Sequence, residues 1–240
     1  MLFPVLNMLR KVMDSLIDVS SFFTKFRPNI RPKENVVKIN LGCGFRALPG
    51  WYNVDAGITC LLAKFPKFSL RYIYWFYKRL NFPWSKEHFI NVLSNSTFVQ
   101  QDLKYGVPFV SNSADYVYSS HMLEHFRKHK AEKIIEEAHR VLKKGGILRI
   151  CVPDLAYIIK LYDTGKKEKA LSYFFETEDL RDYGEFDRHK YMYDFDMLQK
   201  LLKSKGFKRV VRCSYRKGSV PDIAKLDVAP EETLYVEAQK

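Results

Sequence analysis

Apolar positions recur along this chain with two periods, and the switches between them divide it. Leu2, Val5, Leu6, Leu9, Val12, Met13, Leu16 and Ile17 fall at helical spacing, with Asn7, Arg10, Lys11, Asp14 and Ser15 on the other side. That spacing predicts an amphipathic helix over residues 2–17, with Pro4 in its first turn. Pro28 and Pro32 then mark a linker. "VVKINL" (36–41) reads as a buried strand running into Gly42-Cys43-Gly44, and "WYNVDAG" as a second strand ending in Asp55. "TFVQQDL", "ADYVYSS" and "ILRICVP" supply a third, a fourth and a fifth strand. Between the last two, "AEKIIEEAHRVLKKGG" carries a helical stripe of Ile134, Ile135, Ala138, Val141 and Leu142. Lys143 and Lys144 suit the negative end of that helix, and Gly145 is placed to stop it. "YDFDMLQKLLKSKGF" is another amphipathic helix, and "KRVVRCSY" and "ETLYVEAQ" close the chain as strands.

Alternating strands and helices argue for an α/β fold, with a mostly parallel sheet covered on both faces. The two late strands, without a full helix between them, suggest an antiparallel pair at one edge. The expected organisation is a helix and linker over 1–35 and one domain over 36–240. Residues 58–97 differ in character: "FPKFSLRYIYWFYKRLNFPW" is dense in aromatics and in Arg and Lys. A packed helical cap is the default for such an insertion; a membrane-facing patch and a protein contact are the alternatives.

Composition narrows the partners. The 240 residues are 47% apolar, enough for one well-cored domain. Forty Lys and Arg against 27 Asp and Glu leave a formal charge of +13, which favours anionic partners. Cys43, Cys60, Cys151 and Cys213 form no C-x-x-C pair, so neither a zinc knuckle nor a redox pair is spelled out, and a reducing cytoplasm fits. Charges interrupt the apolar N-terminal stretch, unlike a secretory signal, and no uncharged run approaches a membrane span.

Open parallel sheets bind ligands beyond the carboxyl ends of their strands. Here the first strand ends in Gly42-Cys43-Gly44, where missing side chains let backbone amides approach a ligand. The second ends at Asp55, able to accept hydrogen bonds from a ribose diol, and the third at Asp102, able to accept one from an exocyclic amine. Ser119, Ser120 and His121 follow the fourth, Pro153 and Asp154 the fifth. In chain order these describe a nucleoside pocket with a reaction face beside it. A nicotinamide dinucleotide fits poorly: Ala47 stands where G-x-G-x-x-G needs its third glycine, and the acid follows too soon.

With these motifs the sequence resembles the class I S-adenosylmethionine-dependent methyltransferases over about residues 36–240. "INLGCG" looks like their glycine loop and "WYNVD" like their ribose-binding strand. "QDLKYGVPFVSNSADYVYSSHMLEHF" is similar to their most specific run, and "HRVLKKGGILRICVPD" to the segment after it. The likeness extends to small bacterial members with "LGCG…GW-NVD" and a late "RHKYMYD…LLKSKGF", often linked to cell-surface polysaccharide or glycolipid modification. It implies a Rossmann-like, doubly wound, mostly parallel seven-stranded sheet and S-adenosylmethionine as cofactor. Gly42 and Gly44 would line the cofactor's methionyl end, with Asn40, Leu41 and Cys43 beside them among the cofactor-binding residues, and Asp55 would take the ribose hydroxyls. Asp102 and Leu103 would read the adenine, and Ser120 and His121 would border the sulfonium. Asn40 departs from the acid many relatives carry, and the 58–97 insertion is not part of the common core.

His121, Glu124 and His125 also spell H-x-x-E-H, a zinc-hydrolase pattern. That pattern needs both imidazoles on one helix face, whereas His121 directly follows a strand, and the sequence defines no third ligand; no metal is expected. His121, then His189, then Asp154 are the candidates for a catalytic base. The expected acceptor is a small molecule or glycan, foremost a sugar hydroxyl of a glycan or glycolipid, with peripheral contact to an anionic membrane face. RNA is the alternative acceptor, and a non-catalytic cofactor-binding or membrane scaffold is the alternative of another class.

Overall fold

A computed structural model describes residues 15, 17, 19–79, 82–175 and 188–240. The helix predicted over 2–17 lies outside these residues except for Ser15 and Ile17. The chain contains a seven-stranded sheet of Rossmann-like type with strand order β3-β2-β1-β4-β5-β7-β6. It divides into two compact units, one ending at Val110 and one running from Ser111 to Lys240.

In the first unit, β1 (Lys38–Leu41), β2 (Tyr52–Asp55) and β3 (Thr97–Gln100) are mutually parallel, in the order β3-β2-β1. Ile39, Leu41 and Val54 are buried, as short apolar strands covered on both faces require. Between β2 and β3 the aromatic segment folds into α1 (Ile58–Leu62), α2 (Lys67–Arg79) and α3 (Lys86–Asn95). Ser85 caps α3 by accepting from the His88 amide at 3.1 Å. Leu62, Leu70, Phe89 and Leu93 form their shared core, with Phe45, Tyr74, Tyr77 and Phe82 packed against it. Phe89 is fully enclosed and stacks on Phe45 at 5.5 Å. Burial of one such ring contributes about 1.5–3 kcal/mol. Phe68, Tyr72 and Trp75 of α2 stay outside this core, 60–78% exposed.

In the second unit, β4 (Ala114–Ser120) pairs in parallel with β5 (Leu142–Pro153). β7 (Thr233–Gln239) runs antiparallel between β5 and β6 (Lys208–Cys213). The last strand thus enters the sheet inside the one before it. α4 (Lys128–Val141), α5 (Leu155–Asp163), α6 (Lys167–Leu171), α7 (Phe195–Ser204) and α8 (Ile223–Leu226) complete the unit.

One boundary departs from the periodicity. α4 ends at Val141, so Lys143 and Lys144 lie on β5 and not at a helix end. Strand partners draw this segment off the helix: Lys143 Nζ pairs with Asp115 at 2.7 Å, and Gly145 N–H donates to the Lys240 carbonyl at 2.9 Å. Gly145 takes φ +82° inside the strand, where the register against β4 shifts.

Arg149 of β5 is wholly buried. It donates to Asp227 (2.5 and 3.0 Å) and to Glu237 (2.9 Å), so one guanidinium fork satisfies two buried carboxylates. This network fastens the 214–227 loop to β5 and β7, because Arg149 also donates to the carbonyls of Ser214 and Lys217.

Candidate active site

The glycine loop after β1 is built by backbone turns that side chains would strain. Gly42 and Gly44 sit at φ +67° and +47°, in the left-handed region. The Gly42 amide donates to the Val54 carbonyl at 2.8 Å, which ties the loop to β2. A Cβ placed on Gly44 would meet nothing within 4 Å, so the backbone here borders open space. Asp55 stands behind the loop. Its carboxylate accepts from the Gly44 amide at 2.8 Å and from the Gly57 amide at 2.6 Å. Burial pushes this carboxyl above the ordinary aspartate range, and the two amide hydrogen bonds oppose that shift without cancelling it. The neighbouring Cys43 thiol is pushed well up by its own burial and then by the Asp55 charge, which keeps it protonated.

Asn40 and Leu41 are buried. Asn40 turns its amide to the Arg46 carbonyl (3.3 Å) and Asn53 Oδ1 (3.2 Å), so it braces the loop from below. At the end of β3, Asp102 caps the short turn Leu103–Tyr105 by accepting from the Lys104 amide, and its other oxygen pairs with Lys104 Nζ at 2.7 Å. Leu103 is buried beside it, and Gln101 Oε1 is buried with no hydrogen-bond partner among the described residues. A preceding segment reaches this strand end: Thr24 Oγ1 accepts from the Asp102 amide at 3.2 Å, and Ser20 Oγ accepts from Gln100 at 2.7 Å.

The second unit holds the other group of candidates. β4 ends in Ser119 and Ser120; both hydroxyls are buried, and Ser119 Oγ has no hydrogen-bond partner among the described residues. His121 follows at φ +48°, a left-handed residue that ends the strand abruptly and turns the chain into the Leu123–His125 turn. The imidazole Nε2 lies 3.1 Å from Thr233 Oγ1, and Nδ1 lies 3.5 Å from Glu124 Oε1. Glu124 is completely buried, and among the described residues neither carboxylate oxygen has a hydrogen-bond partner.

His189 comes to the same place by a backbone clip. The amides of Lys190 and Tyr191 both donate to the Glu124 carbonyl, at 2.7 and 3.2 Å. The His125 and His189 rings lie 5.1 Å apart, and one ligand atom each from Glu124, His125 and His189 lie within 4.8 Å of one another. Asp154 has a different occupation. It caps α5 through the Ala156 amide (3.1 Å) and pairs with Arg212 (2.5 Å), so both its oxygens are engaged.

The structure therefore gathers Gly42, Gly44 and Asp55 into one cradle, and His121, Glu124, His125 and His189 into one cluster. Sequence reasoning passed over Glu124 as a buried carboxylate and Thr233 as the partner of His121. A charge inside the apolar "MLEHF" could have signalled Glu124; nothing in "EETLYV" marks Thr233.

A family model described as "Methyltransferase domain" matches residues 80–150. Among solved structures, this chain is similar to an S-adenosylmethionine-dependent methyltransferase from Archaeoglobus fulgidus at 15% identity and TM-score 0.45, over 86% of this chain and 87% of that one. A second, from Thermotoga maritima, matches at 13% identity and TM-score 0.44 over 98% and 96%. A third, from Aquifex aeolicus, matches at 15% identity and TM-score 0.43 over 86% and 82%. No curated protein matches the chain by sequence.

Proposed function

We propose that this chain is an S-adenosylmethionine-dependent methyltransferase that transfers the cofactor's methyl group to oxygen, on a sugar hydroxyl of a glycan or glycolipid. Three features of the glycine-loop region support this reading of the cofactor site. The left-handed glycine loop opens onto unfilled space at Gly44, Asp55 offers a fixed carboxylate beside it, and Gln101 Oε1 is an unsatisfied polar atom at the adjoining strand end. In this reading Gly42, Cys43 and Gly44 hold the methionyl part, Asp55 the ribose, and Asp102 and Leu103 the adenine.

S-adenosylmethionine supplies an electrophilic methyl carbon on a sulfonium, so the protein needs chiefly to align an acceptor and exclude water. A hydroxyl acceptor must shed its proton as it attacks, which calls for a positioned base. The observation that carries the oxygen reading is His121 with Glu124 behind it. The His121 Nδ1 lies 3.5 Å from the buried Glu124 carboxylate without hydrogen-bonding to it, and Nε2 faces away toward Thr233, so in this reading Nε2 takes the acceptor's proton. His121 is 23% exposed at its side chain, accessible to an acceptor, and Thr233 holds Nε2 in the absence of one. Ser120 supplies a neighbouring hydroxyl. Asp154 acts as a cap and not as a base.

The glycan or lipid-linked acceptor is favoured by α2. Phe68, Tyr72 and Trp75 repeat at i, i+4 and i+7, all exposed, with Lys67, Arg71, Lys78 and Arg79 on the same short helix. Aromatic faces of this kind stack on sugar rings or enter a lipid interface, and the cations complement anionic headgroups. Among the described residues no helix is long and apolar enough to cross a membrane, so the proposed placement is peripheral, at the cytoplasmic face. The charge of +13 favours RNA as the second reading.

Purified protein is incubated with methyl-labelled cofactor and, separately, glycolipid and RNA fractions. Label in the glycolipid fraction, reduced about 100-fold or more in His121→Ala, is the expected result. Label in RNA alone refutes the glycan reading. Cofactor binding without transfer to either refutes catalysis on these acceptors and favours a scaffold.

A further inference from the structure

We infer that Glu124, His125 and His189 form a binding site for a divalent cation of the zinc class. A carboxylate taken fully out of water costs several kcal/mol unless a charge or hydrogen bonds compensate it. Among the described residues Glu124 has no hydrogen-bond partner at either oxygen, and two imidazoles lie near it: His121 at 3.5 Å and His125 at 3.9 Å, both measured to Oε1. Such a group is completed by a cation, either a protonated histidine or a metal.

The histidines favour the metal. His189 Nδ1 lies 2.7 Å from the Tyr173 carbonyl, and His125 Nδ1 lies 3.3 Å from the Arg188 carbonyl. A carbonyl can only accept, so both Nδ1 atoms carry the proton and both Nε2 atoms carry the lone pair. Backbone carbonyls commonly fix metal-binding histidines in this tautomer. One divalent ion would take the two Nε2 atoms and a carboxylate oxygen as ligands together.

Two nitrogens and one oxygen suit Zn²⁺ and similar borderline ions better than the hard oxygen-seeking cations. The three donor atoms lie within 4.8 Å of one another. Ligands about 2.0–2.1 Å from a tetrahedral ion stand about 3.4 Å apart, so rotamer adjustments of about 1 Å close the site. His125 is 25% exposed at its side chain, so an ion can reach the cluster from solvent. Sequence spacing could not supply this site, because His189 reaches it only through the clip on the Glu124 carbonyl. The set also differs from a zincin, since His121 holds Glu124 from outside the three donors. Activation of a coordinated acceptor hydroxyl would be its use; that use rests on the methyl-transfer reading, whereas the binding does not.

The full chain is stripped with chelator, loaded with Zn²⁺, and its metal content measured after desalting; Co²⁺ is titrated in parallel and followed by visible absorption. The expected result is about one equivalent of zinc with a Co²⁺ spectrum of low-coordinate N/O type, and binding weakened about 100-fold or more in His189→Ala and in Glu124→Gln. S-adenosylmethionine binding by the same variants, measured by calorimetry, reports separately on the cofactor cradle and on folding. Should a variant fail to fold, the wild-type stoichiometry and spectrum still decide. Sub-stoichiometric zinc with no Co²⁺ band in folded wild type overturns the site, and so does unaltered zinc affinity in a folded His189→Ala; cofactor binding without zinc binding would sink this inference while leaving the methyltransferase reading intact.

Discussion

Gly44→Ala separates the two demands placed on the glycine loop. An L-residue at φ +47° costs about 1–2 kcal/mol, and the stiffer unfolded chain returns about 0.4–1 kcal/mol of that. No steric penalty is added in the free protein, because the new methyl meets nothing within 4 Å. The net loss of stability is therefore at most about 1.6 kcal/mol, a fall in Tm of about 6 °C or less for a chain of this size. Binding should respond more strongly. In the proposed binding mode the methyl projects into the space the cofactor takes, and overfilling a fitted contact costs about 1–3 kcal/mol. S-adenosylmethionine affinity should fall about 5- to 150-fold. Calorimetric titration of S-adenosylmethionine and of its demethylated product, beside a thermal melt of the same sample, reads both quantities. Undiminished affinity in a variant that melts within the expected range would show that the open space at Gly44 is not the cofactor's.

Asp55 gives a pH dependence of fixed sign. Its carboxyl is raised by burial, so it protonates at a higher pH than an ordinary aspartate, and cofactor affinity should be lost as pH falls through that raised value. Stability runs the other way: the folded state holds this proton more tightly, so the contribution is present at low pH and is lost as pH rises through the same value. A pH series of cofactor titrations on wild type and Asp55→Asn tests the first statement; an identical profile in both would refute it. Arg149→Met leaves Asp227 and Glu237 buried without their shared cation, and urea unfolding should show a loss of about 3–5 kcal/mol; a loss under about 1 kcal/mol would mean the network is not held as described. Replacing Phe68, Tyr72 and Trp75 together by serine should weaken binding to vesicles rich in anionic lipid while leaving the Tm nearly unchanged, because these rings lie outside the core. Equal vesicle binding by the variant would remove α2 from the membrane reading.

Local pattern carried much of this protein. Strand ends were legible because buried parallel strands are short apolar runs that stop at glycine or acid, so Leu41 with Gly42, Val54 with Asp55, and Ser120 with His121 could be placed from period and punctuation alone. The α4–β5 boundary was not legible, since "VLKKGG" satisfies a helix end equally well until Asp115 and Lys240 supply strand partners from 28 and about 95 residues away. The same limit hid the roles of single side chains. Asp154 reads as a strand-end acid, but only the packed fold brings Arg212 to it. Glu124 reads as an ordinary polar residue in a turn, but the fold encloses it and carries His189 to its side. Periodicity reports which face of an element is buried; it holds no information about which distant residue arrives there, because that is set by chain crossings and backbone clips formed only when the elements pack.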